Sequence, residues 1–216
     1  MPGRGMGTHP KPGYVPNNSM ELFFVRQMRL FVAVNLPKEI KKEIGSLISE
    51  LKFIPADLKW VDPENLHLTV QFLGNVSEDQ VLTVAESLKR SAAGAGPFAL
   101  KLSGIGVFPS LEKPRVFWAG VTGETAALLN LSRLVQSDLL RLGFAPGKNK
   151  FSPHLTLARL RSPAGFADVL DRAEKIAGNK VFGSARIKTI ELMSSELGPR
   201  GPKYFTLATV SLAGSH

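Results

Sequence analysis

Apolar and polar positions follow regular spacings along the chain from about residue 28 onwards. Apolar runs at strand spacing predict strands over about 29–36, 66–73, 98–107, 115–121, 151–160, 184–194 and 203–212. Apolar stripes at helical spacing predict helices over about 37–51, 77–92, 124–142 and 165–177. The mixture of the two patterns indicates an α+β fold.

The order of these elements in the second half of the chain echoes the order in the first half. Each half offers a motif strand, a helix and further strands. We therefore expect two pseudo-symmetric lobes, each an antiparallel sheet with helices on its outer face, and an active site in the cleft between them. Residues 1–27 carry four prolines and four glycines and predict a disordered leader, so that 28–216 forms a single bilobed domain.

Two copies of one tetrapeptide pattern lie in apolar runs, His67-Leu68-Thr69-Val70 and His154-Leu155-Thr156-Leu157. Successive side chains on a strand point to opposite faces, so His and Thr share one face while the flanking aliphatic residues face the core. The repeat thus presents two imidazoles, each beside a hydroxyl group. A hydrogen-bonded core histidine is the ordinary interpretation of one copy, whereas the matched pair favours a functional site.

Paired imidazoles suit acid–base chemistry on a phosphate. An unperturbed histidine has a pKa of about 6.5, so near pH 7 it serves as a proton acceptor or a proton donor. Each threonine hydroxyl can donate to a non-bridging phosphate oxygen. The chain has no cysteine, no His-Glu-x-x-His and no aspartate cluster, so we expect neither a metal site nor a cofactor.

The charge balance points to a polyanionic partner. Lysine and arginine exceed aspartate and glutamate to give a net charge of +9, which favours RNA, although a basic surface that serves only solubility is an alternative. No apolar run approaches the roughly 18 residues of a membrane helix. Together with the lack of cysteine, this predicts a cytoplasmic protein without a membrane partner, and we expect a monomer.

Longer segments around the motifs resemble the 2H phosphoesterase superfamily, named for its two His-x-Thr-x motifs. Within it, the chain is similar to the RNA 2′,3′-cyclic phosphodiesterase (2′-5′ RNA ligase) family over about 29–212. The matching segments are Arg29-Leu-Phe-Val-Ala-Val-Asn-Leu-Pro37, Val61-Asp-Pro-Glu-Asn-Leu-His-Leu-Thr-Val-Gln-Phe-Leu-Gly74, Pro114-Arg-Val-Phe-Trp-Ala-Gly120 and Phe151-Ser-Pro-His-Leu-Thr-Leu-Ala-Arg159.

This resemblance implies hydrolysis of an RNA or nucleotide 2′,3′-cyclic phosphate to a 2′-phosphomonoester. It makes His67 the proton donor to the 3′ oxygen and His154 the acceptor that activates water. Thr69 and Thr156 map onto positions that contact the phosphate. The reverse reaction, with a 5′-hydroxyl in place of water, would be 2′-5′ RNA ligation.

Several neighbouring residues allow two interpretations. Arg159 is either a phosphate clamp or a solvated strand-end arginine, and it faces away from His154 unless a bulge intervenes. We interpret Phe72 as a core residue rather than a base-stacking platform, and Tyr204 as a packing residue. Lys148 and Lys150 are candidates for guiding an RNA backbone, with solvated loop lysines as the alternative.

Two other functions remain open at this point. The same fold could act on 2′-5′ oligoadenylates or small cyclic nucleotides, which the motifs do not distinguish from RNA ends. A protein of a different class, a non-catalytic RNA-binding protein with a vestigial site, would bind RNA through its basic surface alone.

Overall fold

A computed structural model describes residues 26–147, 150–199 and 201–214. Residues 1–25 of the predicted leader and Lys148 therefore lie outside the described residues. The first strand begins at Gln27, so it includes the last residue of the segment that composition assigned to the leader.

The described residues form four α-helices and nine β-strands. The helices are α1 (Lys38–Leu51), α2 (Val81–Ala93), α3 (Thr125–Leu140) and α4 (Phe166–Ala177). The strands are β1 (Gln27–Asn35), β2 (Leu58–Trp60), β3 (His67–Ser77), β4 (Phe98–Phe108), β5 (Val116–Gly123), β6 (His154–Leu160), β7 (Val181–Ile187), β8 (Thr189–Gly198) and β9 (Gly201–Ser211). All four predicted helices are confirmed. None of the helices in the described ranges is long and apolar enough to cross a membrane.

The strands form two antiparallel sheets, which confirms the predicted α+β class. Sheet I has the strand order β3-β1-β8-β9, and sheet II has the order β2-β6-β5-β4-β7. The two orders correspond when β3 is matched with β6, β1 with β5, β8 with β4 and β9 with β7. The motif strands β3 and β6 are therefore equivalent under this pseudo-symmetry.

The two sheets do not coincide with the two halves of the sequence, although the order of the elements repeats. Sheet I combines strands from both ends of the chain, because β8 pairs with β1. The single strand predicted over 184–194 is two strands that separate at Lys188, with β7 in sheet II and β8 in sheet I. Hydrogen-bond partners in a sheet are chosen by register and buried face, and these do not depend on closeness along the chain.

The helices cover one face of each sheet and leave the other face to the histidines. Helices α2 and α3 lie against sheet I, whereas α1 and α4 lie against sheet II. The aliphatic residues of both motifs are buried in the resulting core, as predicted: Leu68, Val70, Leu155 and Leu157. Because side chains alternate along a strand, the motif histidines and threonines lie on the opposite faces.

The bounds of both motif strands differ from the predicted ones. β6 begins at His154 rather than at residue 151, since Pro153 has no N–H group to donate to a ladder. β3 continues to Ser77 instead of ending at Gly74. Gly74 has a φ of +76° and sits at a bulge that leaves Leu73 without a partner on β1, so the glycine bends the strand without stopping it.

Candidate active site

His67 is the first residue of β3, and two hydrogen bonds fix its ring. The Nδ1–H donates to the backbone oxygen of Asn65 over 2.7 Å. The Nε2 atom lies 2.9 Å from the Oγ1 atom of Thr69. With Nδ1 committed to a carbonyl oxygen, the neutral ring carries its proton there, and Nε2 is the nitrogen available for acid–base chemistry.

The 3₁₀ turn that supplies this carbonyl oxygen, Pro63–Asn65, is held by its own capping residue and by contacts from α1 and β9. The Asp62 carboxylate accepts from the Glu64 N–H over 3.0 Å, and the Lys41 ammonium donates to the Glu64 carbonyl over 2.9 Å. The side-chain amide of Asn65 donates to the Pro202 carbonyl over 2.8 Å and ties the turn to β9. The orientation of the first histidine thus depends on α1 and β9 as well as on the turn itself.

Aromatic rings enclose His67 on its face of sheet I. The Phe31 ring is tilted at 4.9 Å from the imidazole, and the Tyr204 ring meets it edge-on at 5.2 Å. Phe31 is 2% exposed, whereas Tyr204 is only partly buried. The interpretation of Tyr204 as a mere packing residue is therefore incomplete, because its ring lines the histidine face. The sequence carried no signal for this contact, since β9 lies far from β3 along the chain.

His154 has the same backbone hydrogen bond in a more open setting. Its Nδ1–H donates to the backbone oxygen of Ser152 over 2.8 Å, which again leaves Nε2 for acid–base chemistry. Its ring meets Phe108 edge-on at 5.0 Å, and Phe108 packs at 4.9 Å on Trp118. Among the described residues, the Ser152 carbonyl is the single hydrogen-bond partner of this histidine.

The pKa of each histidine is lowered from its ordinary value. Burial is the main cause for both, and it is opposed by the hydrogen bond from Nδ1–H to the carbonyl oxygen. The guanidinium of Arg159 lowers the pKa of both imidazoles further, and the Lys41 ammonium adds to the effect at His67. One guanidinium therefore acts on both histidines, which places the two in a shared electrostatic environment.

Both motif strands carry a bulge directly after the threonine. On β3, Thr69 pairs with Ala33 and Gln71 with Val32, so Val70 has no partner. On β6, Thr156 pairs with Trp118 and Ala158 with Phe117, so Leu157 has no partner on β5. Each bulge inserts one residue and shifts the alternation of the following side chains by one position.

The bulges bring the fifth residue after each histidine back to the histidine face. On β6 this residue is Arg159, whose charge reaches both imidazoles, so the bulge left open in the sequence argument is present. On β3 it is Phe72, which is 58% exposed and lies 6.0 Å from Phe31. The interpretation of Phe72 as a core residue is wrong.

The structure thus gathers the five residues singled out in the sequence. Strands β3 and β6 contact each other where the two sheets meet. These two strands carry all five residues: His67, Thr69, His154, Thr156 and Arg159. Both threonines are half-buried on the histidine faces. In the three described ranges, no group of three or more His, Asp or Glu side chains is placed to hold a metal ion.

One polar group beside His67 was missed by the sequence argument. Asn35 lies opposite His67 on β1, and its amide donates to the Glu191 carboxylate. Burial raises the pKa of Glu191 and lowers the pKa of Lys41. The charge of each group partly offsets the shift of the other, because the two charges have opposite signs. The sequence did contain a signal for Asn35, because it is a polar residue at the end of the apolar β1 run.

A comparison with protein families finds the same duplication. The model of the family described as LigT-like phosphoesterases matches residues 34–118 and again residues 121–204. Each matched segment contains one of the two His-x-Thr motifs. The pseudo-symmetry of the sheets is therefore also present in the sequence relationship.

Curated relatives and solved structures agree with this match. The RNA 2′,3′-cyclic phosphodiesterase of Archaeoglobus fulgidus is 36% identical over 177 residues, covering 82% of this chain and 96% of the relative. The Aquifex aeolicus protein of the same name is 34% identical over 191 residues, covering 88% of this chain and 100% of the relative. The crystal structure of TT0787 from Thermus thermophilus superposes with a TM-score of 0.71 at 32% identity, covering 88% of this chain and 100% of that one. Escherichia coli LigT complexed with 3′-AMP superposes with a TM-score of 0.69 at 26% identity, covering 87% and 99%.

Proposed function

Because the chain belongs to the LigT-like phosphoesterase family, we propose that it hydrolyses RNA 2′,3′-cyclic phosphate ends to 2′-phosphomonoesters. One observation carries the proposal. Two histidines on contacting strands each commit Nδ1 to a backbone carbonyl, and each leaves Nε2 for proton transfer under the field of one arginine.

In the proposed reaction, His154 accepts a proton from water as the water oxygen bonds to phosphorus. The bond from phosphorus to the 3′ oxygen breaks, and His67 donates its Nε2 proton to that oxygen. The products are a 2′-phosphomonoester and a 3′-hydroxyl, and exchange with solvent restores both imidazoles. The open setting of His154 supports its role with water, since it has one aromatic contact where His67 has two.

The threonines and Arg159 stabilise the negative charge of the phosphate in this proposal. Thr69 and Thr156 donate hydrogen bonds to non-bridging oxygens, and the Arg159 guanidinium offsets the charge that develops in the transition state. The anionic substrate in turn raises the pKa of each imidazole, which offsets burial and allows His67 to be protonated when substrate is bound. No step in this scheme uses a metal ion or a cofactor.

The net charge of +9 and the names of the relatives support RNA as the substrate. A 5′-hydroxyl that replaces water would make the same site a 2′-5′ RNA ligase in reverse. We further propose that the enzyme acts in the cytoplasm, since the chain contains no cysteine. We also propose that it is a monomer whose working unit is 28–216, because both histidines come from one chain. Light scattering, and an assay of the chain truncated before Met28, test these two points.

The test is hydrolysis of an oligoribonucleotide that ends in a 2′,3′-cyclic phosphate, with EDTA present, and with chromatography that separates 2′- from 3′-phosphate products. The wild-type chain should form the 2′-phosphate, and His67→Ala and His154→Ala should each abolish turnover while circular dichroism remains unchanged. A folded wild-type chain that turns over 2′-5′ oligoadenylate or a small cyclic nucleotide instead would overturn the RNA-end substrate. RNA binding that survives both substitutions, without turnover by the wild type, would overturn the enzymatic function.

A further inference from the structure

A row of polar side chains crosses sheet I on the face that carries His67. Arg29 on β1 pairs with Asn75 on β3 and with Ser195 on β8, and Ser195 pairs in turn with Tyr204 on β9. Directly paired residues in a sheet point to the same face. These four residues, Asn75, Arg29, Ser195 and Tyr204, are called the polar row below.

The polar row adjoins the histidines through aromatic contacts. Arg29 precedes Phe31 by two positions on β1, so both side chains lie on one face. The Tyr204 ring contacts Phe31 at 5.0 Å and reaches the His67 ring edge-on. The row therefore begins at the histidine site and extends away from it along sheet I.

The chemistry of the polar row is that of an anion site. It offers a guanidinium, an amide and two hydroxyl groups, all hydrogen-bond donors, and it contains no carboxylate. Arg29 is exposed and forms no ion pair with any residue in the described ranges. The nearest acid along β8, Glu196, pairs instead with Arg26 over 3.4 Å. An exposed arginine without an acidic partner retains its full attraction for a phosphate.

Space for a ligand group lies beside Arg29. The pairing of Arg29 with Ser195 is the last between β1 and β8, and beyond it the two strand ends border a pocket of about 320 Å³. The charge there also reaches the site: burial raises the pKa of Tyr204, and the guanidinium groups of Arg159 and Arg29 both oppose this rise. The positive charges of Arg159 and Arg29 thus both act on the Tyr204 phenol.

We propose that the polar row binds the internucleotide phosphates upstream of the terminal nucleotide, with Arg29 as the main contact. This inference rests on the proposed function, since it places the terminal cyclic phosphate at the histidines. The RNA strand then runs from the histidines past Tyr204 and along sheet I to Arg29. A mononucleoside cyclic phosphate has no upstream phosphate and gains nothing from the row. The enzyme therefore prefers oligonucleotide ends to mononucleotides.

The experiment compares kcat/KM for a trinucleotide that ends in a 2′,3′-cyclic phosphate with kcat/KM for adenosine 2′,3′-cyclic phosphate. In Arg29→Gln, the ratio of the first value to the second should fall about tenfold, as expected for loss of one charged hydrogen bond. The salt dependence of trinucleotide turnover should weaken by about one phosphate contact. Arg29→Lys should restore part of the ratio. Arg90→Gln, an equal change of charge on α2 behind sheet I, should leave both substrates unaffected.

An equal loss for both substrates in Arg29→Gln, an unchanged ratio, or the same change of ratio in Arg90→Gln would each overturn the proposal. A second readout separates it from the proposed function. Anisotropy of a fluorescein-labelled trinucleotide 2′-phosphate measures binding without turnover, and Arg29→Gln should weaken it about tenfold. If the wild type hydrolyses neither substrate yet binds this probe through Arg29, the function fails and the phosphate site stands. If turnover proceeds without any effect of Arg29, the phosphate site fails and the function stands.

Discussion

The two motif strands share a backbone design and differ in the side chains that surround each histidine. In both, Nδ1–H donates to the carbonyl two residues earlier, over 2.7 Å at His67 and 2.8 Å at His154, and a bulge follows the threonine. The residue that the bulge returns to the histidine face is Phe72 in sheet I and Arg159 in sheet II. The repeated backbone leaves Nε2 as the nitrogen for proton transfer in both histidines. The surrounding side chains differ, so the two sheets contribute different groups to the site.

Sheet I contributes mainly aromatic rings to the site, whereas sheet II contributes a positive charge. Sheet I encloses its histidine with the rings of Phe31 and Tyr204 and with the Thr69 hydroxyl. Sheet II leaves its histidine more open and contributes the guanidinium that lowers the pKa of both imidazoles. A bound phosphate would therefore meet an aromatic wall on one side and a cation on the other.

The largest expected effect separates the roles of the two histidines. On bis(p-nitrophenyl) phosphate, whose leaving group departs without a proton, His154→Ala should reduce kcat/KM about a thousandfold, because the base is still required. His67→Ala should reduce it only about tenfold. Release of nitrophenolate, measured by absorbance, checks this. Equal losses in the two variants would contradict the assignment of acid and base, and thermal melting of both variants controls for folding.

Arg159→Gln should lower kcat/KM on a cyclic phosphate about a hundredfold, since a charged contact to the phosphate is lost. The pH profile should also move. The guanidinium disfavours the imidazolium and lowers the pKa of both histidines, so its removal raises both values. Both limbs of the bell-shaped dependence of kcat/KM should shift to higher pH.

The control for this shift is Arg159→Lys, which keeps the positive charge. It should hold the limbs near their wild-type positions and recover part of the activity. A profile in Arg159→Gln that stays in place, or that moves to lower pH, would show that Arg159 does not act on the histidines electrostatically.

Gly106→Ala should disturb the sheet II side through Trp118. A methyl group at residue 106 would overlap the Trp118 ring, which supports Phe108 and through it His154. Overpacking of this kind lowers the free energy of unfolding by about 2 kcal/mol. Urea unfolding measures the change. The matched control is Gly147→Ala, because no described residue lies within 4 Å of a methyl group added there. Equal losses in both variants would exclude the ring contact as the cause.

The smallest effect is expected at Phe72. Its ring is 58% exposed, so Phe72→Ala should barely change the free energy of unfolding. If the ring stacks on the terminal base, its loss costs about 1 kcal/mol, or close to fivefold in KM for a purine end. Phe72→Tyr should restore the wild-type KM. A large loss of stability with an unchanged KM would show that Phe72 is a core residue. It would then not be the counterpart of Arg159 on the histidine face.

The sequence determined the local features of this protein. The spacing of apolar residues placed all four helices, and the His-x-Thr repeat placed two histidines and two threonines on strand faces opposite the core. These features depend on the periodicity of helices and strands, which acts within a few residues. Agreement between the two motif copies also carried the acid–base hypothesis, because one copy alone is an ordinary core histidine.

Tertiary structure decided the features that depend on partners distant along the chain. The bulges that turn Phe72 and Arg159 to the histidine face arise from register against β1 and β5. The contact of Tyr204 with His67 exists because the last strand of the chain joins the sheet of the first. The sequence of a strand determines which side chains alternate between its two faces. The position of a bulge, where this alternation shifts by one residue, is determined by the pairing with the neighbouring strand. The chain specifies the chemical groups of the site, and the pairing of the strands determines which groups meet.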